Sequence, residues 1–196
     1  HPLRRTAYPT ADGPRPSGSP LDVRGGWHDA GDLLKYLLTS ANATADMLLA
    51  YRLAPRAFGP VQIGWTVAQL NAALGDSLTP TYEISDQCDQ LAPAAFPSGT
   101  SVMVLGDTLV RVDVYDPGIL TPEGTGGGDT EAHLLEVYGS RAAVTPHKYS
   151  GPEGHYVTVP DAKDPRRMTI FETDGISVLN YRAGIAPGVE YVEGCA

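Results

Sequence analysis

Cysteine is nearly absent from this chain: Cys88 and Cys195 are the only two in 196 residues. They lie too far apart for a Cys-x-x-Cys redox or zinc pattern. One disulfide closing a long loop and two unpaired structural thiols are the readings left open. No apolar run approaches the roughly 18 residues of a membrane-spanning helix, so no transmembrane segment is expected. The start His1-Pro2-Leu3-Arg4-Arg5 has no hydrophobic signal region, which implies a mature or truncated N-terminus. Positive charge is scarce as well, with 14 Lys and Arg against 23 Asp and Glu and a net charge of −9. That balance excludes nucleic acid and anionic membrane surfaces, which need basic patches; neutral carbohydrate is not disfavoured. Metal-ligand spacing is missing too. His133, His147 and His155, with Glu131, Glu136 and Glu153, show nothing comparable to His-Glu-x-x-His, so no metal and no cofactor are expected.

What is present is enough apolar content, 42%, for one or two small domains with a real core. Residues 1–20 are rich in Pro, Gly, Arg and Ser and read as extended. From Asp29 the pattern changes: Leu33, Leu34, Leu37, Leu38, Ala41, Ala45, Leu48 and Leu49 recur at helical spacing through Tyr51, and Pro55 stops the run.

That helix opens inside Gly25-Gly26-Trp27-His28-Asp29-Ala30-Gly31-Asp32, where two carboxylates sit three residues apart beside a Gly-Gly-Trp-His turn. When helical, residues three apart face the same side and can share one water. The segment resembles the catalytic-base motif of family 9 glycoside hydrolases, the inverting endo-β-1,4-glucanases. The resemblance implies Asp32 as general base, Asp29 as the partner that holds the attacking water, and Trp27 and His28 as substrate-binding residues. Inverting hydrolysis also requires a separate protonated acid roughly 6.5–9.5 Å from the base. Enzymes of this kind carry that acid in an Asn-Glu context far downstream, and no Asn-Glu pair occurs here. Glu153, Glu190 and Glu193 are the substitutes the chain offers. A complete family 9 barrel of a dozen helices is excluded by length. The bland alternative is a remnant or fused segment whose aspartates merely complement the dipole of a helix start.

The rest of the chain repeats with an offset of 64 residues. Gly64, Thr66, Ala68, Leu70, Leu74 and Gly75 fall on Gly128, Thr130, Ala132, Leu134, Tyr138 and Gly139. Each copy predicts a Thr-capped helix stopped by a glycine. Two strand signals then follow in each, 102–105 with 109–114 and 168–171 with 178–181, turning at Gly106-Asp107 and Asp174-Gly175. The Gly-x-Thr helix, closing Gly and β-meander resemble the SmpA/OmlA envelope-lipoprotein fold and the tandem β-lactamase inhibitor proteins, whose members bind proteins or envelope components and are not enzymes. The same glycine repeat explains Gly75-Asp76-Ser77-Leu78 as a helix stop and turn, since no Asp-x-x-His unit accompanies it to activate Ser77.

The expected class is therefore α+β, an N-terminal helix from a hydrolase-like segment (1–59) followed by two tandem helix/antiparallel-sheet repeats (about 60–123 and 124–196). The expected function is a secreted or periplasmic protein carrying the catalytic-base segment of a β-1,4-glucan hydrolase, with weak or no activity alone. The rival is a non-catalytic envelope or secreted protein-binding, inhibitor-like module. The partner is accordingly a β-glucan polysaccharide or an envelope or secreted protein. The secreted-type resemblance favours a Cys88–Cys195 bond over two free thiols.

Overall fold

A computed structural model describes residues 52–75, 79–85 and 87–195. The chain divides after Asp46, and all described residues belong to the second unit, 47–196. Three two-residue strands come first: β1 (Leu53–Ala54), β2 (Ala57–Phe58) and β3 (Val61–Gln62). Helix α1 (Val67–Leu74) leads into β4 (Thr79–Ser85), β5 (Cys88–Ala92), β6 (Thr100–Leu105) and β7 (Thr108–Val114). Helix α2 (Glu131–Tyr138) leads into β8 (Ala143–Pro146), β9 (His155–Pro160), β10 (Arg167–Thr173) and β11 (Val178–Ile185).

The two helices begin where the threonine signals place them. The Thr66 hydroxyl accepts the Gln69 N–H at 3.2 Å while Gln69 Oε1 accepts the Thr66 N–H at 2.9 Å, a reciprocal cap. Thr130 accepts the His133 N–H at 3.1 Å. Gly75 closes α1 in the left-handed region, φ 65°, with its N–H on the Asn71 carbonyl, a conformation costly for a residue with a Cβ.

The expected α+β class is overturned. The described residues are mainly β, in two antiparallel sheets, with two helices of only eight residues each. The expected N-terminal helix lies outside the described residues. After each helix the strands β4-β5-β6-β7 and β8-β9-β10-β11 run as a meander, and β7 pairs with β11 to make one eight-stranded sheet of order β4-β5-β6-β7-β11-β10-β9-β8. The physical reason is that helical spacing and caps are local signals, whereas edge-to-edge pairing of two meanders leaves no local trace.

Strand alternation gives this sheet two buried faces. Val102, Val104, Val112, Val114, Val157, Phe171, Tyr181 and Ala183 point into the main core with Leu70 and Leu134 from the helices and Leu53, Phe58 and Val61 from the small sheet. Phe171 stacks on Tyr181 at 5.3 Å, and the Tyr181 hydroxyl donates to the Ile119 carbonyl at 3.1 Å.

The opposite face is covered by the C-terminal segment after β11. A 3-10 turn at Gly188–Glu190 brings Val189 onto Met168 and Ile170, and Cys195 bonds Cys88 beside Met103 and Val110. A Cβ on Gly188 would lie 2.5 Å from Val110 Cγ2, so the segment approaches the sheet as only a glycine permits. The expected disulfide is thus formed, closing a sequence separation of 107 residues. In the chain-entropy description a loop of that size stabilises by up to about 4–5 kcal/mol. Replacing both cysteines with serine is expected to lower the urea midpoint accordingly; a midpoint equal to that of the oxidised parent would contradict this.

Candidate functional site

The sequence-predicted residues Trp27, His28, Asp29 and Asp32 lie outside the described residues. The three substitute acids do not form a site. Glu153, Glu190 and Glu193 are all exposed, and Glu193 is tied to Lys148 Nζ at 2.9 Å. Nor do the three histidines gather. His133 faces Glu136 at 3.9 Å, His147 faces Glu172 at 3.4 Å, and His155 Nδ1 faces Glu131 at 2.9 Å, with the Thr173 hydroxyl donating to the same carboxylate. Among the described residues no group of three metal-ligating side chains occurs.

The concentration of chemistry lies instead under the C-terminal segment. Strand alternation in β7 puts Arg111 and Asp113 on the covered face, 3% exposed each, with Arg111 Nε 2.8 Å from Asp113 Oδ1 and Nη2 at 2.5 Å. In the β7–β11 register Asp113 stands opposite Arg182. Arg182 in turn forms an ion pair with Glu172 on β10, and Glu172 also receives Asn180 Nδ2 at 3.3 Å. Two spare guanidinium donors reach up to the covering segment: Arg111 Nη1 to the Tyr191 carbonyl at 2.5 Å and Arg182 Nε to the Val189 carbonyl at 2.8 Å. Each buried charge therefore has both a counter-charge and hydrogen bonds, the condition for tolerating it at all.

His147 closes one end of this ladder. Its Nδ1 accepts the N–H groups of Tyr149 and Ser150, both at 3.0 Å, so the ring proton resides on Nε2 and points to Glu172. The ring stacks on Tyr156 at 4.4 Å. Burial pushes the Glu172 carboxyl up, but the Arg182 charge and the hydrogen bonds from Arg182, Asn180 and His147 outweigh it and hold the group below its ordinary value. Burial pushes Asp113 up, the direction a general acid needs, with Arg111 pulling it back. Asp113 is nevertheless sealed from any substrate. Sequence reasoning missed this ladder; the available signal was a charge at alternate positions of apolar strands, Arg111 and Asp113 within Leu109–Val114 above all.

The sequence profile of Glycosyl hydrolase family 9 matches residues 3–101, just over half of the 196-residue chain. The chain belongs to glycosyl hydrolase family 9. In this family 9 chain the matched stretch runs past the Asp29/Asp32 segment through β1–β5 into β6. Arg111, Asp113, Glu172 and Arg182 fall outside it. No curated protein matches. One solved structure does, that of an extracellular protein containing a SCP domain from Bacillus anthracis str. Ames, at 10% identity over 63% of this chain and 44% of that one, with a TM-score of 0.40. The chain thus spans less than half the length of that protein, and at that score the likeness says nothing of fold or function.

On the surface, Arg56 fixes Asp161 through Nη2 at 2.8 Å and Nε at 3.1 Å. The Arg56 hydrogen bond, helped by the N–H groups of Lys163 and Asp164, holds the Asp161 carboxyl down to about 2. The depressed value means that this contribution to stability is present above the unfolded carboxylate range and is lost as pH falls through about 2. NMR titration of the Asp161 carboxyl is expected to show a midpoint near 2, rising towards the ordinary value of about 3.9 in Arg56→Met. An unchanged midpoint in that variant would contradict the assignment.

Proposed function

We propose that this family 9 chain is a β-1,4-glucan-directed protein whose hydrolase-like segment, 1–59, carries Asp32 as base, Asp29 as the partner holding the water, and Trp27 and His28 as substrate contacts. The remainder, 60–196, serves binding and not proton transfer, and the chain alone turns over glucan weakly or not at all. The observation that carries this reading is the state of the carboxylates among the described residues. The buried Asp113 and Glu131 and the partly buried Glu172 are locked to Arg111, His155 and Arg182 respectively. Glu153, Glu190 and Glu193 are exposed, without the burial that keeps a general acid protonated. An inverting reaction needs such an acid opposite the base. The Cys88–Cys195 bond fits an oxidising, extracytoplasmic setting.

A protein-binding role for the same domain draws on the hairpin between β10 and β11, where Ile176 is 73% and Leu179 51% exposed. Aliphatic side chains left at a hairpin tip fit a partner surface.

Release of reducing ends from soluble β-glucan separates the readings. Wild-type protein is expected to show little or none. Any activity present is expected to fall by about 10²–10⁴-fold in Asp32→Asn, because asparagine cannot accept the proton of the attacking water, and by less in Asp29→Asn. Robust turnover abolished both by Asp32→Asn and by one of Glu153→Gln, Glu190→Gln or Glu193→Gln would establish a working acid in the second segment and overturn the proposal.

A further inference from the structure

The C-terminal segment that covers the ionic ladder also walls a cleft of about 330 Å³, lined by Tyr191, Lys148, Glu193 and the Cys88–Cys195 disulfide among others. That volume lies at the lower end of small-ligand clefts, about 300–1,000 Å³. Two features of its wall define the chemistry it would accept. Tyr191 is 40% exposed and its ring has no stacking partner among the described residues. Lys148 Nζ and Glu193 Oε1 stand 2.9 Å apart, both half-exposed, so the wall presents adjacent donors and acceptors with no net charge. Outside the lining, the exposed Tyr149 ring lies 5.0 Å from Lys148 Nζ and helps fix that ammonium group.

The wall is also held in place. Arg111 fixes the Tyr191 carbonyl and the disulfide fixes Cys195. A pre-ordered wall saves the ordering cost of binding.

We propose that this cleft is a binding subsite for a neutral pyranose glycan, with Tyr191 as the ring platform and the Lys148–Glu193 pair as the hydroxyl-binding group. A sugar ring offers an apolar C–H face to an aromatic ring and vicinal hydroxyls that accept from an ammonium and donate to a carboxylate. A charged ligand would leave one member of the Lys148–Glu193 pair opposed to its own sign, and an anionic one would also meet the net charge of −9. The inference rests on the glycan-directed reading above, but of the residues that line the cleft all except Cys88 fall outside the family-matched stretch.

Titration of the full chain with cellotetraose, followed by saturation-transfer NMR, tests it beside an oligogalacturonate of equal length. Binding of the neutral sugar and none of the acidic one is expected. Tyr191→Ala is expected to weaken the neutral sugar by roughly five- to tenfold and Tyr191→Phe to leave it unchanged, since it is the ring face that is used. Glu193→Gln, in an exposed pair that the fold does not need, is expected to weaken it severalfold. In a Trp27→Ala background, which removes the sugar contact assigned to segment 1–59, the Tyr191 and Glu193 effects are expected to persist, so failure of that reading and failure of this subsite are read separately. Absence of cellotetraose binding, equal binding of both sugars, or parental affinity in Tyr191→Ala and Glu193→Gln would overturn the proposal.

Discussion

The pairing of β7 with β11 is the constraint on which the rest of the described structure depends. It joins two meanders into one sheet, with Tyr181 opposite Val114 and Gly184 opposite Arg111. On one face this register brings Tyr181 and Ala183 beside Val112 and Val114 in the main core. On the other it sets Asp113 against Arg182. Charges in the middle of a sheet are expensive unless shielded and fully bonded, and here the shield is the segment from Ala186 to Cys195. Its carbonyls at Val189 and Tyr191 take the guanidinium protons that the carboxylates leave over. Its far end is fixed by the bond to Cys88 at the start of β5.

The same economy of charge bears on function. A carboxyl that serves as an acid must be protonated and must reach the substrate. In the ladder, Glu172 is held ionised by Arg182, and Asp113, although raised by burial, is enclosed. The interior of this domain therefore has its polar groups committed to holding shape. The covering segment's outer side, with Tyr191, Lys148 and Glu193, lines a cleft that takes no part in the ladder. The Asp29-Ala30-Gly31-Asp32 segment, in turn, lies within the stretch that the family 9 match covers.

Several features were legible in the sequence because their causes are local. Thr66 and Thr130 cap helices since a hydroxyl can satisfy the free N–H three residues on. Gly75 stops α1 because of its left-handed backbone. The family resemblance was legible in Asp29-Ala30-Gly31-Asp32, although those positions lie outside the described residues. The class was not legible. β5 reads Cys-Asp-Gln-Leu-Ala and β8 reads Ala-Val-Thr-Pro with every residue exposed, so neither announces a strand. β1–β3 are two residues each, too short for any periodicity. The ladder was hidden for a related reason: Arg111 and Asp113 look like the solvent side of a half-buried strand, and only the segment 186–195, some eighty residues on, makes that side an interior.

The central claim, that the buried Arg182 and its partly buried counter-charge Glu172 across β10 and β11 hold the sheet beneath its cover, is tested most directly by a double-mutant cycle on the two, read by urea denaturation. Removing one partner strands the other, so Arg182→Met and Glu172→Leu are each predicted to cost about 3–5 kcal/mol. The double variant leaves neither charge and is predicted to cost less than the sum of the two by about 1–3 kcal/mol. Single losses below about 1 kcal/mol, or losses that add within about 0.5 kcal/mol, would show that the two charges are not coupled and would contradict the account.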